Sequence, residues 1–155
     1  MENVVERIIA WGELDPLGIV FYPRYYEWMD DCGHRFFDAL GLNLGVLREK
    51  NHLIFGLVET GFRYHSPGRY GDRIRAVTRI LRLERKILVL ETSILRVPAD
   101  ELLAVGFEER ICLDCSDPSR LRAADIPPEI LEKLQNATRS QPGVPTGVPT
   151  TPGWR

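Results

Sequence analysis

Residues 11–23 read W-G-E-L-D-P-L-G-I-V-F-Y-P, a loop punctuated by proline and glycine that carries two carboxylates, Glu13 and Asp15. Pro23 suits the first position of a helix, where its missing N–H costs nothing. A helix start exposes several N–H donors and a partial positive charge, and such donors stabilise an oxyanion. A carboxylate beside them can activate water as a general base or attack directly and form an anhydride. Asp15 followed by a helix start is therefore equipment for attack on an activated carbonyl. Pro23 has no N–H to offer, so the candidate donors are the amides of Tyr22, Arg24 and Tyr25. Asp15-Pro16 is also an ordinary turn initiator. Glu13 would reach a similar region if the local chain is extended.

The elements that must hold this loop follow from periodicity. Residues 4–10 suit a first strand, and the loop spans 11–22. From Pro23, the residues Tyr25, Met29, Cys32, Phe36 and Leu40 form a stripe at helical spacing, widened by Trp28 and Phe37, with Gly41 as the stop. A short helical turn over 43–50 follows. Alternation over 53–65 predicts a strand, and Ser66-Pro67-Gly68 a turn. Two long strands, 73–83 and 87–98, flank a hairpin tip at Glu84-Arg85-Lys86. A further strand over 102–115 is expected to bury Leu103, Val105, Phe107, Ile111 and Leu113 and to expose Glu108 and Arg110. Pro127-Pro128 opens a short amphipathic helix, 128–137. The fold class is α+β: a five-stranded antiparallel sheet wrapped around one long apolar helix, with a short C-terminal helix. Residues 1–138 read as one domain. Residues 139–155, with Gly-Val-Pro-Thr twice in succession, read as a disordered tail.

Other chemistry-bearing residues are more ordinary on their own. Asp30 and Asp31 sit on the long helix beside its stripe, where charged pairs usually face water. Arg79, Arg82, Arg85 and Lys86 form a local basic cluster of the kind that phosphates require. Cys112-x-x-Cys115 lacks a second ligand pair, so no metal or redox site is expected. His34, His52 and His65 are scattered, with His34 on the same helix as Asp30. Glu59 falls on a strand.

The loop and helix residues Gly12, Asp15-Pro16, Gly18-Ile19-Val20, Tyr22-Pro23, Tyr25, Trp28 and Asp30 resemble the 4-hydroxybenzoyl-CoA thioesterase family, which has the hot-dog fold. So do Tyr64-x-Ser66-Pro67-x-x-Tyr70-Gly71-Asp72 and Arg85-Lys86. The resemblance covers roughly residues 1–130. It implies that Asp15 is the catalytic carboxylate and that the Tyr22 N–H polarises the thioester carbonyl. It further implies that Asp30 meets a substrate hydroxyl from the neighbouring subunit and that Arg85 and Lys86 meet the CoA phosphates. One departure is Glu84, where a member of the family has a third basic residue. Tyr25 and Trp28, with Phe21 and Tyr26, become candidate walls for an aromatic acyl group. The partners implied are an acyl-CoA substrate and further copies of the chain, as a tetramer built from two dimers, with no cofactor needed.

Bulk properties agree with one enzyme-sized domain. The chain has 155 residues, 44% hydrophobic and 27% charged, with a net charge of −2 that gives no reason to expect nucleic acid. No apolar run approaches a membrane span, the first residues have no apolar stretch from which to expect a leader, and no disulfide framework is expected from the three cysteines. Cytoplasmic location is the expectation. The alternatives are a thioesterase for short-chain or dihydroxynaphthoyl-CoA, a hot-dog dehydratase and a non-catalytic acyl-CoA-binding module. A dehydratase would want a histidine, and residues 11–23 contain none.

Overall fold

The computed structural model describes residues 1–141. The Pro/Gly-rich segment from 142 onward, and with it most of the expected tail, lies outside the described residues. In chain order the elements are β1 (Asn3–Ile8), a 3-10 turn (Trp11–Glu13), α1 (Pro23–Ala39), α2 (Leu44–Asn51), β2 (Leu53–Tyr64), β3 (Arg73–Leu83), β4 (Ile87–Arg96), β5 (Glu101–Asp114), β6 (Arg122–Ala123) and α3 (Pro128–Arg139). The sheet order is β1-β3-β4-β5-β2, antiparallel throughout, and β6 adds two residues beside β5. Register shifts at Leu57/Glu59, Ile80/Arg82 and Ile94/Leu95 bend the strands, so the sheet curls around α1.

The helix boundaries have local causes. Pro23 occupies the first turn of α1. Gly41 stops it at φ +67, with its N–H donating to the Asp38 carbonyl and the Leu42 N–H donating to the Phe37 carbonyl. The Asn43 side chain caps α2 by accepting from the Val46 N–H at 3.1 Å. The buried face of α1 joins two apolar clusters. Tyr25, Trp28 and Cys32 pack on Ile9, Ile74, Ile94 and Leu103. Phe36 and Phe37 pack on Leu88, Leu90, Phe55 and the α3 residues Ile130 and Leu134.

Between the clusters runs a polar seam. Thr78 and Thr92, both buried, hydrogen-bond each other at 2.9 Å. On β5, Leu103 and Phe107 are buried as expected, but Glu108 and Arg110 are buried too, against the expectation that they face water, and Val105, Ile111 and Leu113 are only partly covered. Ala104, Gly106, Glu108, Arg110 and Cys112 point at α1, while Val105, Phe107, Ile111 and Leu113 lie on the outer face. The helix side chains decide this. A Cβ on Gly106 would meet Phe62 at 2.5 Å and the Met29 sulfur at 2.7 Å, so the inner positions there must be small. The large apolar residues go outside, where Phe107 covers Gly61 across the strand pair.

Candidate functional site

The loop before α1 is closed by its own backbone. Leu14 and Val20 form an antiparallel bridge, the Asp15 N–H donates to the Ile19 carbonyl at 2.8 Å, and Gly18 turns the chain at φ +72. Asp15 is indeed a turn residue: its Oδ1 accepts from the Leu17 N–H at 2.8 Å. Its Oδ2 has no partner among the described residues. A second loop, 65–72, packs against the first, with the Val20 N–H donating to the Gly68 carbonyl at 2.9 Å. Gly68 cannot be larger. A Cβ there would lie 2.9 Å from Ile9 Cδ1 and Val20 Cγ2 and 3.1 Å from the Tyr25 hydroxyl. Arg96 fastens this second loop by donating to the Pro67 carbonyl at 2.6 Å and to Asp72 at 3.0 Å.

Between the two loops and the start of α1 opens a cavity of about 380 Å³, lined by Asp15, Tyr22, Tyr25, Tyr64, His65 and Ser66 among others. The amides at the helix start are not equivalent. The Arg24 N–H donates to Phe21 and the Tyr25 N–H to Tyr22, while the Tyr22 N–H has no acceptor among the described residues. The cavity is thus lined by Asp15, one of whose carboxylate oxygens is unengaged, and by Tyr22, whose N–H is unengaged among the described residues. Tyr25 is buried, and that burial raises its phenol pKa, which keeps the hydroxyl protonated. Asp15 also borders a second cleft on the far side of the loop, formed with Trp11, Arg69 and Tyr70.

Glu13 has a different task. It accepts from Arg7 at 2.7 Å, from the Ala10 N–H at 2.8 Å and from the Trp28 indole N–H at 3.0 Å, and it does not line the cavity. Trp28 is likewise buried, with the Arg7 guanidinium over its ring at 4.5 Å, and is no cavity wall in this chain. The two side chains tie β1 and the loop to α1. Burial pushes the Cys32 and Cys112 thiols up to about 11, so neither is a thiolate at neutral pH. Among the described residues no cluster of three His, Cys, Asp or Glu side chains is placed to hold a metal ion.

Asp30 is exposed on α1 and is not in the Asp15 cavity of its own chain. Its Oδ1 accepts from Arg110 at 3.2 Å and lies 3.5 Å from His34 Nε2, whereas Asp31 pairs with Arg35 at 2.9 Å. Arg85 and Lys86 are also distant. The hairpin tip is at the opposite end of β3 from the loop, about 30 Å along the strand at roughly 3.3 Å per residue. The basic cluster is not a free positive surface. Arg79 is paired with Glu91, Arg82 with Glu84 and Glu109, and Arg85 and Lys86 with Asp125 at 3.3 and 3.6 Å.

The cavity wall from Tyr64, His65 and Ser66 was legible only as a turn motif: Tyr64-x-Ser66-Pro67 signals a chain reversal, not which loop it faces. Glu108 and Arg110 had a signal that points the wrong way, since charges alternating with apolar residues read as a solvated face.

The fold has known counterparts. Residues 9–134 match the family model described as the thioesterase-like superfamily. The chain is 26% identical over 132 residues to 4-hydroxybenzoyl-CoA thioesterase from Pseudomonas sp. strain CBS-3, covering 83% of this chain and 94% of that protein. The structure of that enzyme superposes with a TM-score of 0.77, covering 85% of this chain and 98% of the other. A gentisyl-coenzyme A thioesterase is 29% identical with a TM-score of 0.72, covering 86% of this chain and all of that one.

Proposed function

We propose, from the premise that this chain belongs to the thioesterase-like superfamily and is a hot-dog acyl-CoA thioesterase, that it hydrolyses a hydroxybenzoyl-type acyl-CoA to the free acid and CoA. The observation that carries the chemistry is one cavity lined by both Asp15 and Tyr22, whose N–H is unengaged among the described residues. Two routes use these groups. Asp15 attacks the thioester carbonyl, the C–S bond breaks, CoA leaves as its thiol after taking a proton, and water opens the resulting anhydride. Alternatively Asp15 takes a proton from water, which attacks directly. In both, negative charge develops on the carbonyl oxygen and the Tyr22 N–H donates to it, an interaction typically worth about 3 kcal/mol in the barrier.

The acyl class is supported by the two relatives named above, both thioesterases of hydroxylated aryl-CoAs by name. The residues assigned to it are Asp30, which accepts from a ring hydroxyl, and Tyr25, with Trp28 as support behind it. Asp30 can serve only a cavity other than that of its own chain, so the active unit is a homo-oligomer, a dimer of dimers in the fullest form. The edge of β2 favours this: it has no strand partner on its outer side among the described residues, and Leu57, Val58 and Tyr64 are each about half exposed along it. Arg85 and Lys86 would then meet the CoA phosphates of another copy's substrate, exchanging Asp125 for phosphate. No helix among the described residues is long and apolar enough to cross a membrane, and the proposed location is the cytoplasm.

Thiol release from aryl- and alkanoyl-CoAs tests the assignment. Asp15→Asn is expected to lower kcat by about 10²–10⁴ on the best substrate. Full turnover by that variant would remove Asp15 from the chemistry, and equal rates on short alkanoyl-CoAs would remove the aromatic assignment.

A further inference from the structure

We infer that Arg110 is a positioning residue for Asp30: buried between sheet and helix, it holds one carboxylate oxygen and leaves the other turned outward, selecting acyl groups that carry an uncharged hydroxyl. This rests on the assignment of Asp30 to acyl binding.

An aspartate on an exposed helix face ordinarily samples several rotamers and spends its hydrogen bonds on water. Asp30 is different on one side. Its Oδ1 accepts from Arg110 Nη2 at 3.2 Å and stands 3.5 Å from His34 Nε2, while its Oδ2 has no partner among the described residues. The side chain is 55% exposed, yet the guanidinium that holds it is only 7% exposed. Arg110 is fixed from behind. The same Nη2 donates to Glu108 Oε1 at 2.8 Å, and Nη1 donates to the Phe55 carbonyl at 3.3 Å. The groups facing Asp30 are thus His34 on its own helix and Arg110, backed by Glu108, from β5.

Such a buried pair is not there for stability alone, because well-packed apolar side chains of similar volume usually serve as well or better. The helix is also adapted to it. Gly33 sits in the middle of α1, a poor position for glycine, and a Cβ there would come 2.9 Å from Glu108 Oε2. That oxygen is buried with no hydrogen-bond partner. A mid-helix glycine, a buried glutamate and a buried arginine therefore converge on one exposed carboxylate. Two carboxylates share one guanidinium. Burial raises the Glu108 pKa, while the charge and hydrogen bond of Arg110 act against that rise. A carboxylate oriented in this way accepts a hydrogen bond from a neutral hydroxyl and repels an acyl group that ends in a carboxylate. A site built to bond a hydroxyl rejects analogues that lack it.

The test compares kcat/KM on 4-hydroxybenzoyl-CoA with that on benzoyl-CoA, using the full chain, in wild type, Asp30→Asn, Arg110→Lys and the double variant Glu108→Gln/Arg110→Met, which avoids stranding a buried charge. The double variant is expected to lose the ratio at least ten-fold, with the change in KM for the hydroxylated substrate, and Arg110→Lys to recover part of it. If the double variant does not fold, Arg110→Gln reads the same ratio. A ratio that collapses in Asp30→Asn but survives in the Arg110 variants overturns the positioning role and leaves the acyl site standing. A ratio untouched by Asp30→Asn overturns both.

Discussion

Asp15 does two things that look like alternatives in the linear chain. Its Oδ1 closes the turn onto the Leu17 N–H, and its Oδ2 is left unengaged among the described residues. The turn holds the carboxylate in place, so local structure and proposed chemistry use different atoms of one group. Glu13, two residues away, is equally acidic but is committed to Arg7, Ala10 and Trp28. Periodicity does not separate the two carboxylates; the hydrogen-bond partners do. Gly68 makes the sharpest prediction at this scale. A methyl group there would press on Ile9, Val20 and the Tyr25 hydroxyl at once. Gly68→Ala is expected to destabilise the protein by about 1–3 kcal/mol and to depress turnover with it, because the wall that moves faces Asp15. Urea unfolding and thiol release measured on the same sample check this; unchanged stability would mean that the two loops do not pack as described.

At the scale of elements, α1 and β5 carry the fold and much of the proposed specificity. The stripe on α1 was legible because bulky apolar residues recur at helical spacing. β5 was legible as a strand but not by face. Leu103 and Phe107 are buried as their alternation suggests, yet the helix needs the small side chains of Ala104 and Gly106 beneath it, and Glu108 and Arg110 follow those two inward. The buried Glu108 gives a pH signature. Its pKa is raised above the ordinary value of 4.5 chiefly by burial. The folded state therefore binds that proton more tightly than the unfolded state, and stability is lost as pH rises from about 4.5 through the raised value. Glu108→Gln removes this slope. The melting temperature of the variant should gain on that of wild type as pH climbs from about 4.5 through the raised pKa of Glu108 and then hold a constant offset. A difference that is flat across that range would mean the carboxyl is not held as described.

For the whole molecule, the central fact is that the assigned site residues do not meet in one chain. Asp15 and Tyr22 border the cavity, Asp30 lies outside it, and Arg85 and Lys86 sit about 30 Å away along β3. Shared sites predict complementation. Co-expressed Asp15→Asn and Asp30→Asn chains that pair at random would rebuild about a quarter of the sites intact. The mixture should recover both turnover and preference for the hydroxylated substrate beyond the average of the two parents. Mixtures that only average the parents would assign each site to a single chain. Adding charge to the open β2 edge, as Leu57→Lys with Val58→Glu, should shift sedimentation toward monomer and lower activity in parallel.

What the sequence determined by itself was local: the order and type of the main elements, the turn at Asp15, the proline that starts α1 and the glycine that ends it. These follow from backbone preferences and from spacing, which neighbouring residues set without reference to the rest of the chain. The tertiary structure decided everything that depends on which surfaces meet. It brought the 65–68 turn against the Asp15 loop and turned Glu108 and Arg110 toward Asp30. Residues 80 positions apart come together there because a curled sheet must close over a helix whose bulky side chains leave room only for small neighbours.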